Sequence, residues 1–337
     1  MKVRLKPLHQ QVLVITGGSS GIGLTTARRA AARRARVVLV ARNEEDLQRA
    51  AADIERRGGR AVYLIADVAN AEALERVAKE TVATFGRIDT WVNNAGVSFY
   101  GELLHAPIED MRQVFEVNFW GVVNGSRAAV PHLRAHGGAL INVGSVLSDR
   151  AVPLQGTYSA SKHAVKGFTD ALRMELEHEA ARVSVTLVKP SAIATPYYDH
   201  ARNYMAFDPK PPAPVYDPET VAEAILNAAE RPVRDVTVGG GGRLLSALGT
   251  SAPRLTDRYM HLAMFRAQQS DRPASRREDN LFGPPTHEGE ERGSYEGRVM
   301  RSSMYTRVAL ARGRGVLAAG IGLAAFAGVR ALTRADG

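Results

Sequence analysis

A chain of 337 residues, 45% hydrophobic and 23% charged, is long enough for one large core with an appendage and too apolar to be disordered throughout. The absence of cysteine excludes disulfides and thiolate metal sites, so no metal site is expected and a reducing compartment is the natural reading. The formal net charge is +9, with +6 of it from Gly241 onward, yet no zinc-finger spacing or aromatic-basic signature accompanies it, so nucleic acid is not an expected partner.

The N-terminus, MKVRLKPLHQQVLVITGG, passes from basic residues into a short β-branched run and glycines, without the apolar stretch and cleavage site of an export signal. The first strand, QVLVIT, leads through TGGSSGIG into the helix GLTTARRAAARR. RVVLVA then precedes EEDLQRAAADIERR, AVYLIADV precedes AEALERVAKETVATFG, and DTWVNNAG forms a fourth strand. Strands this apolar, alternating with helices, predict a parallel sheet covered on both faces. The series continues with a helix over 108–136, a strand at 139–143, a helix over about 158–180 and a strand at 183–188. Its last helix starts at DPETVAEAI, where Asp217 caps, Pro218 fits the first turn and Glu219 suits the positive end. A short strand at 235–238 closes the sheet.

Beyond the glycines 239–242 the pattern changes, which divides the chain into a core of 1–240 and an extension of 241–337. The extension reads as an amphipathic helix at 244–267, a polar linker or disordered stretch at 268–294, and an apolar helix at 315–332 whose run 315–329 carries no charge. There is no internal repeat.

Three glycines sit where the first strand turns into its helix. Gly17 permits the tight turn, Gly21 lets backbone approach a pyrophosphate, and Gly23 allows close helix-on-strand packing, while the helix start attracts negative charge. Any tight turn can use glycines, but their place after the first strand of a parallel sheet favours a dinucleotide. Arg42 ends the second strand in RVVLVARN, where this fold meets the adenosine ribose. A guanidinium there matches the 2′-phosphate of NADP by charge and fork geometry, with NAD as the alternative. No basic residue stands beside the second glycine, where Ser20 precedes it.

TGGSSGIG, NNAG at 93–96, Tyr158 and Lys162 four apart in TYSASKHAVKGF, and Ser145 thirteen residues before Tyr158 together resemble the short-chain dehydrogenase/reductase family, over roughly residues 8–240. The resemblance implies an α/β fold of Rossmann type, a doubly wound parallel sheet of about seven strands, with a nicotinamide cofactor across the carboxyl ends of the strands. It assigns Thr16, Gly17, Ser19, Ser20, Gly21, Ile22 and Gly23 to the cofactor turn, Asp67 to the adenine amino group, and Asn94 and Gly96 to the cofactor's flank. KPSAIAT resembles the family's Pro-Gly segment, placing Ile193 and Thr195 near the carboxamide, with Ser191 replacing the usual glycine.

A tyrosine, with an ordinary pKa near ~10, needs a nearby positive charge to act as a base at neutral pH. The resemblance gives Tyr158 the acid/base role, Ser145 the substrate oxygen, Lys162 the pKa of Tyr158 and the nicotinamide ribose, and Asn118 a water linking Lys162 to solvent. Asn118 also suits a purely structural bond to backbone, and Asp67 a strand-end turn. His163 and His200 match no family role.

The segment TPYYDHARNYMAFDPKPPAPVYD, 195–217, reads as a lid over the substrate. Tyr197, Tyr198, Met205 and Phe207, facing Val146, Leu147 and Leu154, point to a lipophilic ketone or alcohol. The resulting expectation is an NADP-dependent oxidoreductase acting on a small molecule in the cytoplasm and forming a homo-oligomer. A sugar or polyol dehydrogenase, or a non-catalytic NADP(H) sensor, is the alternative. The run 315–329 falls short of the about 20 apolar residues of a spanning helix, which leaves a docked helix, an interfacial anchor or a short membrane span.

Overall fold

The protein is described here by a computed structural model that covers residues 3–275, 278–285 and 289–311. Seven parallel strands form its central sheet: β1 (Val12–Thr16), β2 (Arg36–Ala41), β3 (Arg60–Ile65), β4 (Thr90–Asn93), β5 (Gly138–Val143), β6 (Val183–Pro190) and β7 (Asp235–Val238). Their order is β3-β2-β1-β4-β5-β6-β7, so the direction of winding reverses between β1 and β4. That reversal opens a crevice at the strands' carboxyl ends, the usual seat of a ligand in this architecture.

The apolar runs on both faces follow from the two-residue period of a strand. Along β1, Leu13 and Ile15 point into one buried core with Leu24 and Ile225, while Val12 and Val14 point into another with Leu74 and Trp91. Helix α1 (Gly21–Ala32) packs beside the helix Pro218–Glu230 on the first face. On the second, α3 (Ala71–Phe85) packs against α5 (Gly121–His136). Side chains start three of these helices: Asn43 accepts from the Asp46 N–H at α2 (Glu44–Arg56), Asn70 from Ala73 at α3, and Asp217 from Glu219. The expected helix over 108–136 is α4 (Ile108–Phe115) running into α5 through a wide turn, Glu116–Trp120, that carries Asn118. Helix α6 (Gly156–His178) carries Tyr158 and Lys162.

The extension departs from its sequence reading in two places. The helix expected over 244–267 is broken at Pro253 into Gly240–Ser251 and Pro253–Tyr259, the latter running on through Met260–Met264 and Phe265–Ala267, because proline cannot continue a hydrogen-bonded helix. The stretch 268–294, a linker by composition, is fastened to the body in its described residues. Gln269–Pro273 pairs antiparallel with Phe207–Pro209, Asp279 binds Arg202 at 2.8 Å, and Leu281 is fully buried. Glu291 then binds Arg28 at 2.6 Å and Arg292 binds Asp217 at 2.7 Å. Composition missed this because backbone groups, charge pairs and one leucine do the anchoring. After that, Val299–Met300 pairs with Val215–Tyr216 and the helix Met304–Leu310 packs beside β7. The apolar helix expected at 315–332 lies outside the described residues, among which no helix is long and apolar enough to cross a membrane.

Candidate active site

The chain leaves β1 at Thr16 and turns through Gly17, whose φ of +65° is a left-handed conformation that favours glycine. A Cβ on Gly23 would sit 1.9 Å from the Gly17 carbonyl oxygen, so helix and strand meet at a distance only glycine allows. The turn is braced from β4: the Asn94 amide donates to the carbonyls of Thr16 at 3.0 Å and Gly17 at 3.2 Å, and the Asn94 N–H donates to Thr16 Oγ1 at 3.0 Å. Asn94 therefore has a structural task here, and the preceding Asn93 sits in a buried network with Trp91, Ser126 and Asn142.

Along this turn runs a pocket of about 170 Å³ lined by Gly17, Ser19, Ser20, Gly21, Ile22, Arg42, Asp67, Asn94, Gly96 and Thr195. Most of the residues expected around a dinucleotide thus share one groove. Gly23 lies behind it as the packing glycine. Asp67 accepts the Ala69 N–H at 2.9 Å, the strand-end turn, while also facing the pocket. Arg42 donates through Nη2 to the Asn280 carbonyl at 2.6 Å, and its Nη1 is enclosed without a partner among the described residues. His200, set aside on sequence grounds, also lines this pocket.

A second, larger cavity of about 770 Å³ adjoins it, sharing Ile22, Asn94, Gly96, Thr195 and Tyr197. Ser145, Tyr158, Lys162 and Ile193 all line this cavity. Ser145 follows β5 and caps a short turn, its Oγ accepting the Leu147 N–H at 3.1 Å. The Tyr158 phenol is enclosed, and burial pushes it up to about 12, while hydrogen bonding to the Ser145 and Tyr197 side chains pulls the other way. Lys162 donates to the Val143 carbonyl at 2.9 Å, and its Nζ lies 5.6 Å from the centre of the Tyr158 ring. Burial pushes its ammonium down to about 8. Without a bound ligand, burial therefore opposes charge on both partners of the pair.

Asn118 is fully buried behind Lys162. Its Oδ1 accepts the Val97 N–H at 2.8 Å, and its amide donates to the Val97 carbonyl at 3.0 Å and Ser161 Oγ at 3.1 Å. It fastens the loop after β4 to the floor of α6. Thr195, after β6, lies against Gly21, while Ser191, in place of the usual glycine, donates back to the Val238 carbonyl at 2.7 Å.

The walls of the large cavity differ from the sequence reading. Val146, Leu147, Tyr197 and Tyr198 face it, and Tyr197 meets the Tyr158 ring edge-on at 5.6 Å. Met205 and Leu154 instead pack with Tyr100, away from the cavity, and Phe207 is partly exposed on its strand. Leu245, Leu248, Leu255, Tyr259, Leu262 and Met264 from the extension complete the wall. Their recurrence at helical spacing was visible, but nothing local said which cavity that face would cover.

A family model for the short chain dehydrogenase matches residues 11–205. The chain is 46% identical over 311 residues to an uncharacterised oxidoreductase, YxnA, of Bacillus subtilis, spanning 91% of this chain and 87% of that one. It is 35% identical over 240 residues to an 11-beta-hydroxysteroid dehydrogenase A of Sesamum indicum, covering 67% and 68% of the two chains. Among solved structures it is similar to an alcohol dehydrogenase of Thermococcus sibiricus complexed with 5-hydroxy-NADP, with a TM-score of 0.60, 26% identity, and coverage of 68% of this chain and 95% of that one.

Proposed function

The chain belongs to the short-chain dehydrogenase family, an NAD(P)-dependent oxidoreductase by that membership, and from this premise we propose that it interconverts a lipophilic ketone and its secondary alcohol with NADP(H). The observation that carries the reading is the enclosed group of Tyr158, Ser145 and Lys162 on the wall of a large, mostly apolar cavity. The glycine turn supports the cofactor by its left-handed Gly17 and its helix start, where the Gly21 N–H, held by the Glu290 carbonyl at 2.9 Å, would exchange that partner for a pyrophosphate. Arg42 would meet the 2′-phosphate, Asp67 the adenine, Lys162 the nicotinamide ribose, and Ile193 with Thr195 the carboxamide. When bound, NADP(H) supplies or accepts the hydride.

The chain's own residues handle the proton and the orientation. Ser145 Oγ holds the carbonyl oxygen, and the Tyr158 phenol gives it a proton in reduction or takes one from the alcohol in oxidation. Lys162, still charged at neutral pH, lowers the cost of phenolate, while Asn118 keeps the loop and α6 in register. The enclosing leucines and tyrosines exclude water from this step.

NADP is supported over NAD by the enclosed, unpartnered Arg42 Nη1, and by the ligand of the similar alcohol dehydrogenase. A lipophilic substrate is supported by the cavity's lining and by the hydroxysteroid dehydrogenase among the relatives. A sugar would need several more polar partners than this wall offers. A panel of ketones, steroids and sugars assayed with NADPH and NADH tests it. Turnover of apolar ketones with NADPH is expected, and turnover confined to sugars would reject it.

A further inference from the structure

The extension crosses the cofactor groove at its adenosine end, and its fastening there is dense. Leu281 is fully buried, and its carbonyl accepts from the Gln113 amide at 3.1 Å. Asp279 pairs with Arg202 at 2.8 Å, the Asn280 N–H donates to the His200 carbonyl at 3.0 Å, and the Asn43 amide donates to the Pro285 carbonyl at 3.2 Å. Farther along, the Gly21 N–H at the start of α1 donates to the Glu290 carbonyl at 2.9 Å. The segment is thus tied both to the end of β2 and to the glycine turn.

Two polar atoms at this crossing have no partner among the described residues. Arg42 Nη1 and Asn280 Oδ1 are both enclosed, and both residues line the small pocket with Asp67 and Ser19. A buried donor and a buried acceptor left unmatched are each costly, by the full desolvation of the group. Their presence on the wall of one ligand-sized pocket is accounted for if a ligand satisfies them. The remaining Nη2 of Arg42 is committed to the Asn280 backbone carbonyl, so the extension also aims the guanidinium.

We propose that residues 278–285 form a wall of the cofactor site, with the Asn280 side chain binding the adenosine ribose beside Arg42. This rests on the NADP(H) reading above. The Asn280 amide oxygen accepts a ribose hydroxyl, and Arg42 Nη1 meets the 2′-phosphate. The site therefore extends beyond the 11–205 span matched by the family model.

The test is direct binding of NADPH and NADH to the full chain, by titration calorimetry, for wild type, Asn280→Ala and Asn280→Asp, with melting temperatures alongside. Asn280→Ala should weaken NADPH binding by about tenfold, since it removes one enclosed hydrogen bond. Asn280→Asp should lower the NADPH-to-NADH affinity ratio, because a carboxylate then faces the 2′-phosphate. Unchanged NADPH affinity in the Ala variant would overturn the proposal. If a variant does not fold, amide hydrogen exchange of wild type decides: NADPH should slow exchange at 280–285, and no change there overturns it. Wild type that binds neither nucleotide would instead reject the cofactor reading itself.

Discussion

At Lys162 the ammonium donates to the Val143 carbonyl, and burial has moved its pKa down to about 8 from an ordinary value of 10.5. Between those values the unfolded chain holds a proton that the folded chain has lost, so this lysine makes stability rise with pH across that window. Below it both states are protonated, and the folded state bears the full cost of a buried charge. Chemical denaturation of wild type and Lys162→Met at pH 7 and pH 10 should therefore show wild type gaining relative to the variant at the higher pH. A difference that stays constant would show that the ammonium is not desolvated. The catalytic candidates were legible at this scale because their types and intervals carry the chemistry: a Tyr and a Lys on one helix face, and a Ser at a strand end. Asn280 was not, since an asparagine in a polar stretch gives no sign of the pocket it will face.

Among the elements, the parallel strands and the glycine turn could be read from sequence because a strand buried on both faces leaves a continuous apolar run, and a strand-to-helix turn this tight needs glycine at Gly17 and Gly23. The segment 278–285 could not. Its hold on the body runs through backbone carbonyls that accept from Arg42, Asn43 and Gln113, which side-chain patterns do not record, with Leu281 as its fully buried plug. Leu281→Ala should lower unfolding stability by about 2–5 kcal/mol, the range for a buried leucine truncated in a core. A loss below about 0.5 kcal/mol in urea titration would show that the segment rests on the surface. Likewise Met205 and Phe207 lie in the segment 195–217 but away from the cavity, because alternation in a proline-interrupted loop has no fixed period.

For the molecule as a whole, the small groove and the large cavity beside it are built by strand ends that the sequence announces and by an extension it does not. The last described helix, Met304–Leu310, sits against β7, after which the sequence continues into the uncharged run 315–329. If that run is an anchor, deleting 313–337 should move the protein from the membrane to the soluble fraction on cell fractionation, with NADPH affinity retained, since the candidate cofactor residues all precede that segment. Full-length protein that is soluble without detergent would reject an anchor, and loss of solubility on truncation would favour a helix docked on the body.

The proton donor is the centre of the account, and Tyr158→Phe isolates it by deleting the hydroxyl while keeping the ring against Tyr197. With the ketone that wild type reduces fastest, the variant should lose at least about a hundredfold in kcat, the contribution of a positioned acid, while its NADPH affinity stays within about threefold. Wild-type turnover by Tyr158→Phe would contradict the assignment outright.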